Sequence, residues 1–127
     1  MVLDASAILA LLYDEPGNPV VRNALVIGSI ACSVNLAEVG TILLRRGDSV
    51  ERMESVIHGL PLEIHGADLD LALDAARMYP STKGFGLSLG DRLCLALAAR
   101  ESRPVLTTDR VWADAGKLVG VDVRLIR

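Results

Sequence analysis

A chain of 127 residues with no internal stretch rich in Pro, Gly or Ser has the size of one ordinary domain and no linker, so a single domain over residues 1–127 is expected. Hydrophobic residues make up 51% and aromatics only 3%, which predicts a core of Leu, Val, Ile and Ala and leaves the single Trp112 conspicuous. The net charge of −3 and a pI near 5.3 exclude retention on nucleic acid by bulk positive charge, and no apolar run approaches the ~20 residues of a membrane span.

In chain order, residues 1–3 form a short apolar strand and residues 5–13 a helical pattern, broken by Glu15, Pro16 and Gly17. A second helix covers 18–27. Residues 30–34 are strand-like, and Asn35 then opens a helix that carries Glu38, Val39, Ile42, Leu43 and Leu44 until Arg45, Arg46 and Gly47 stop it. Asp48 caps a helix over 49–58, and Gly59, Leu60 and Pro61 turn the chain into a strand at 62–64. Residues 68–78 repeat apolar side chains at helical spacing, and 79–86 form the longest loop. Residues 89–99 are an almost wholly apolar helix destined for burial, 104–107 a strand, 111–119 a helix and 121–125 a final strand.

Strands separated by helices of these lengths imply right-handed parallel crossovers, hence an open α/β sheet of four or five mainly parallel strands covered on both faces. In such sheets the site lies beyond the carboxyl ends of the strands. No basic segment precedes the apolar run of residues 5–12, so no cleaved secretory leader and a cytoplasmic protein are expected. Cys32 and Cys94 lie in apolar runs without a neighbouring Cys or His at ligand spacing, which predicts buried free thiols. His58 and His65 stand apart from every acidic motif, so any metal is held by oxygen.

Four carboxylates stand where a strand hands over to a helix: Asp4, Glu38, Asp91 and Asp109. On adjacent strands they gather on one rim, where each pair repels by about 4 kcal/mol at an effective dielectric near 20, so that a divalent cation or shared protons must relieve them. Each acid also has a plainer explanation. Asn35 with Glu38, and Ser88 with Asp91, fit the capping box, while Asp4 and Asp109 fit simple N-caps. Capping alone does not explain why hydroxyls recur two positions from an acid, at Ser6 and Thr107, where they can orient a carboxylate or a metal-bound water.

Asp4-Ala5-Ser6 ahead of an apolar helix, Asn35-Leu36-Ala37-Glu38-Val39, residues 87–98 around Ser88 and Asp91, and Leu106-Thr107-Thr108-Asp109-Arg110-Val111-Trp112 together resemble the PIN domain, specifically the VapC-type toxins of bacterial toxin–antitoxin pairs. The resemblance spans nearly the whole chain. It implies a Rossmann-like three-layer sandwich and a Mg²⁺- or Mn²⁺-dependent endoribonuclease, commonly a homodimer, silenced by a cognate antitoxin encoded beside it. Asp4, Glu38, Asp91 and Asp109 match the family's metal-binding catalytic acids, and Ser6 and Thr107 its supporting hydroxyls. On that reading Asp4 and Asp91 are the central ligands, Glu38 binds metal or takes a proton from the attacking water, and Asp109 holds metal directly or through water. Asp114, about one helical turn beyond Asp109, is a further auxiliary acid or, more simply, part of a solvated helix face.

RNA contact falls to few residues. Lys83, Arg92 and Arg110 lie beside the acidic motifs and are candidates for phosphate, whereas for Arg45 and Arg46 a solvated helix end is the favoured reading. With so few aromatics, base stacking is limited and RNA shape must guide substrate choice. Apolar positions on the early helices, including Leu11, Leu12, Val20, Val21, Leu43 and Leu44, are read first as core packing and second as dimer or antitoxin contacts. A phosphoacceptor receiver domain is disfavoured because Asp4 stands alone after the first strand, and a nucleotide-binding module because no Gly-rich phosphate loop follows that strand. The remaining alternatives are a PIN-domain RNA-processing nuclease without a toxin role, or an RNA- or protein-binding module with an inactive site.

Overall fold

The computed structural model describes residues 1–127. Its strands are β1 (Val2–Leu3), β2 (Ile30–Cys32), β3 (Glu63–His65), β4 (Val105–Thr107) and β5 (Val123–Leu125). Its helices are α1 (Ala5–Leu12), α2 (Asn18–Ile27), α3 (Ser33–Arg45), α4 (Val50–His58), α5 (Leu69–Arg77), α6 (Tyr79–Thr82), α7 (Leu89–Glu101) and α8 (Val111–Val119). All five strands pair in parallel in the order β3-β2-β1-β4-β5, with Val2 opposite both Ile30 and Val105.

The alternation of side chains along each strand divides the core in two. Val2, Ile30, Cys32 and Val105 meet Leu71 and Ala75 of α5, the buried run Leu93 to Ala98 of α7, and Trp112 of α8. Leu3, Ala31 and Leu106 point the other way and pack with Ala7 to Ala10 of α1, Val21 of α2, and Leu36, Val39 and Leu43 of α3. The three central strands are buried on both faces while the edge strands β3 and β5 are largely exposed, and the apolar run Leu93 to Ala98 of α7 is sunk against the sheet. Cys32 and Cys94 are buried free thiols. The chain leaves β1 for β2 and β3 on one side and returns for β4 and β5 on the other, so the strand order reverses beside β1, the position at which open α/β sheets form a crevice.

Several boundaries differ from those expected of the sequence. β2 ends at Cys32, where its last partner on β3 is His65, and α3 begins at Ser33, so Asn35 lies inside the helix rather than at its cap. Ser49, not Asp48, caps α4, its hydroxyl accepting from the Arg52 N–H at 3.1 Å, while Asp48 faces the Arg52 guanidinium at 3.7 Å. β3 runs one residue later than expected. Residues 79–85, expected as loop, are helical: α6 is followed by a 3₁₀ turn over Lys83–Phe85. Pro80 sits in the first turn of α6, where its missing N–H has no intrahelical partner to lose. No helix is long and apolar enough to cross a membrane.

Candidate active site

Asp4 follows β1 directly and caps α1, its Oδ1 accepting from the Ala7 N–H at 2.8 Å. Ser6 Oγ donates to both carboxylate oxygens, at 2.8 and 2.9 Å, and Thr107 Oγ1 at the end of β4 donates to Oδ2 at 2.8 Å. The two hydroxyls are held in turn by backbone: Thr108 N–H donates to Ser6 Oγ at 3.0 Å and Asp109 N–H to Thr107 Oγ1 at 3.1 Å. One network thus ties the start of α1 to the end of β4, across the strand pair that forms the crevice. Asp4 is only 5% exposed. Burial pushes its carboxyl up to about 6, against the lowering effect of these bonds, and the Asp91 charge pushes the same way.

The other acids reach the same place from different elements. Ser88 and Asp91 form the capping box of α7: Asp91 N–H donates to Ser88 Oγ at 3.1 Å and Ser88 N–H to Asp91 Oδ2 at 2.9 Å. Asp109 Oδ1 accepts from the Val111 N–H at 3.0 Å ahead of α8. Glu38 does not cap anything. Asn35 and Glu38 both lie within α3, and Asn35 Nδ2 points to Glu38 Oε2 at 3.5 Å and to the Gly90 carbonyl of α7 at 3.1 Å. Capping therefore accounts for the placement of Asp4 and Asp91; Asp109, expected as an N-cap, stands one residue ahead of the Arg110 cap and accepts from Val111 in a local turn, and Glu38 lies inside α3.

All four carboxylates line a single cleft of about 750 Å³, together with Ser6, Thr108, Trp112 and an apolar wall from α1 and α3. The carboxyls of Glu38 and Asp91 are raised, like that of Asp4, first by desolvation and then by one another's neighbourhood: Asp91 acts on Glu38, and Asp109 on Asp91. Arg45 is the one basic residue of the cleft lining, a position that a reading of it as a solvated helix end misses. The signal was present in the spacing, since Glu38, Thr41, Ile42 and Arg45 recur at i, i+3, i+4 and i+7 and so share one face of α3. Arg46 instead covers the Tyr13 ring at 4.1 Å.

The remaining candidates point elsewhere. Arg92 is half-buried against α5 and α6, donating from Nη1 to the Ala75 carbonyl at 3.1 Å and lying 5.3 Å from the Tyr79 ring centre. Lys83 in the 3₁₀ turn and Arg110 before α8 are exposed and do not line the cleft. Asp114 pairs with Lys117 at 3.0 Å on an exposed face of α8.

The donor set fits a hard divalent cation, being carboxylate oxygen with neither Cys nor His in the lining. The carboxyls of Asp4, Glu38 and Asp91 are raised, first by desolvation and last by a neighbouring carboxylate, a cost that a bound cation would offset. The side chains as they stand do not form a closed cage: no group of three or more His, Cys, Asp and Glu side chains is positioned to hold a metal, and Asp91 Oδ2 is turned back onto the Ser88 N–H.

A model of the PIN domain family matches residues 1–118. Comparison with curated proteins finds no match. Among solved structures, the DNA-bound VapBC complex of Salmonella typhimurium has a chain similar to this one with a TM-score of 0.77 and 17% identity, covering 99% of this chain and 97% of that one. VapC20 of Mycobacterium tuberculosis, a toxin that cleaves the sarcin–ricin loop, is similar with a TM-score of 0.74 and 16% identity over 91% of this chain and 94% of its own. FitAcB of Neisseria gonorrhoeae is similar at a TM-score of 0.71 and 19% identity, covering 96% and 94%. At these identities the likeness is one of fold.

Proposed function

The chain belongs to the PIN domain family, and from that premise we propose that it is a Mg²⁺- or Mn²⁺-dependent endoribonuclease, the toxin of a toxin–antitoxin pair. The observation that carries the proposal is the convergence of Asp4, Glu38, Asp91 and Asp109, from four separate segments, on one cleft beside the point where the strand order reverses. Asp4, Asp91 and Asp109 would hold the ion, with Glu38 at its edge. A bound ion of this kind supplies Lewis acidity toward a phosphodiester oxygen and makes water acidic enough to attack near neutral pH.

The protein's part is placement. Asp4 is fixed from three directions by Ala7, Ser6 and Thr107, so its oxygens are pre-oriented and lose little freedom on binding. Glu38 is half-buried with a raised carboxyl pKa, which suits its Oε atoms to accept the proton of the attacking water. Arg45, on the same face of α3, offers its guanidinium to a phosphate of the bound strand. The acidic cleft is open to blockade by a basic side chain from a partner chain, as an antitoxin would supply, and we place the protein in the cytoplasm as a homodimer.

The test is cleavage of total RNA by purified protein with Mg²⁺ or Mn²⁺, the new ends being mapped. Asp4→Asn keeps the side chain's shape and the bond that caps α1 through Ala7, though its amide nitrogen can no longer accept from Thr107, and it should abolish cleavage while the protein stays folded. Undiminished cleavage by Asp4→Asn in Mg²⁺ removes the assignment.

A further inference from the structure

Glu38 is the acid whose position neither a local cap nor a local turn explains, and its surroundings are unusual. The residue it leans on is Gly90, in the first turn of α7 and buried. A Cβ at Gly90 would overlap Glu38 Oε1 and lie 2.8 Å from Glu38 Cδ and 3.3 Å from Oε2, and no other heavy atom comes as near. Real Cβ atoms do not make such approaches. Gly90 is not at positive φ, so backbone freedom does not require glycine there; only the room does. Asn35, 1% exposed, spans the same gap, its Nδ2 pointing to both the Gly90 carbonyl and Glu38 Oε2, while its Oδ1 has no partner at all. A buried amide that leaves one acceptor unsatisfied is held for what its other end does.

We infer that Gly90 and Asn35 form a seat for the Glu38 carboxylate, in which the absent side chain of Gly90 leaves the space and the Asn35 amide holds the carboxylate against the first turn of α7. Both are positioning residues, acting on the reaction through Glu38. The inference rests on the nuclease reading for its consequence and on steric contact for its existence. It joins α3 to α7, so that Glu38 and Asp91 are spaced by one backbone contact rather than by two independent helices.

The experiment compares wild type with Gly90→Ala, Glu38→Asp and the double variant Gly90→Ala/Glu38→Asp. In a crystal structure of metal-free Gly90→Ala, Glu38 should be swung out of the seat. The Tm should be unchanged or raised, because alanine is the better helix former and only the flexible end of Glu38 must move. Mn²⁺ affinity by calorimetry and kcat for RNA cleavage should both fall by roughly ten- to a hundredfold, the cost usual for disturbing a group that orients a ligand. Glu38→Asp, one methylene shorter, should lower both in the wild-type background yet restore part of the loss in the Gly90→Ala background. Asn35→Ala should lower kcat with little change in KM, and combining it with Glu38→Ala should add no further loss. Glu38 unmoved in the Gly90→Ala crystal structure, or a fall in Tm that the shorter acid does not rescue, overturns the seat. If wild type cleaves no RNA the nuclease reading fails, while the crystal structure and the Tm still decide whether the seat exists.

Discussion

Asp4 holds its charge where water scarcely reaches, and the cost shows in how the fold responds to pH. Its folded-state carboxyl titrates at about 6, against an ordinary value of 3.8, with desolvation the main cause. A carboxyl raised on folding binds its proton more tightly in the native state, so its contribution to stability is complete below pH ~4 and is lost as the pH rises through 6. A gap of about two pKa units corresponds to roughly 3 kcal/mol. Glu38 and Asp91 are shifted in the same direction and deepen the loss. Asp68 works with the opposite sign, because the Arg100 guanidinium holds it at about 2, so its contribution is present above pH ~4 and disappears only in stronger acid, outside this window. Metal-free protein should therefore be easier to unfold in urea at pH 7.5 than at pH 5, and Mg²⁺ should restore the difference. Asp4→Asn, neutral at both values, should flatten the dependence and raise metal-free stability at pH 7.5. An identical pH slope in wild type and Asp4→Asn would show that the Asp4 carboxylate is not the strained group.

At the scale of elements, the long helices were legible because their patterns are strong. Leu93 to Ala98 reads as buried in the sequence and is buried, and the two halves of the strand alternation sort Val2 from Leu3 onto opposite faces. What failed were features decided by neighbours in space. Nothing local to Ser33 and Val34 shows that β3 ends at His65, so the sequence pattern extends β2 to Val34 and suggests a cap at Asn35, whereas α3 begins at Ser33. Pro80 and Gly84 read as loop residues, but the turn at 79–85 is helical because it packs between α5 and α8. Arg92 is of the same kind: beside Asp91 in sequence, it is turned about 100° further round α7 and fastens α7 to α5 and α6. Its replacement by Met keeps the aliphatic stem but loses the bond to Ala75 and the stacking on Tyr79, which should lower unfolding free energy by about 1–3 kcal/mol. The KM for RNA should not change. A raised KM with unaltered stability would return Arg92 to the substrate-binding surface.

At the scale of the molecule, the proposed nuclease function would set an acidic protein a simple electrostatic problem, since a net charge of −3 would repel an RNA strand and the cleft would concentrate that repulsion at four carboxylates. Asp4 and Asp109 were legible from sequence because each stands between a strand and a helix, whereas Asp91 lies in the first turn of α7 after a 3₁₀ turn and Glu38 lies inside α3, so neither is at the strand–helix junction expected of it; the basic residue that shares their cleft was not legible, because Arg45 is seven positions from Glu38 and only the helical turn brings them to one face. With Arg45 the one basic side chain lining the cleft, few phosphates are neutralised, and affinity must be shallowly dependent on salt. Each neutralised phosphate of a single strand contributes about −0.7 to the slope of log K against log salt. Binding of a short single-stranded RNA by the Asp4→Asn protein, measured in Mg²⁺ from low to moderate salt, should give a slope of about −0.7 to −1.4, one or two phosphates' worth. Adding Arg45→Ala should bring that slope toward zero by about one phosphate's worth and weaken binding about equally for different sequences, since a phosphate contact positions the strand without reading it. A steep slope that Arg45→Ala leaves untouched would mean that the strand is held on a basic surface outside the cleft, where the exposed Lys83 and Arg110 become the residues to replace.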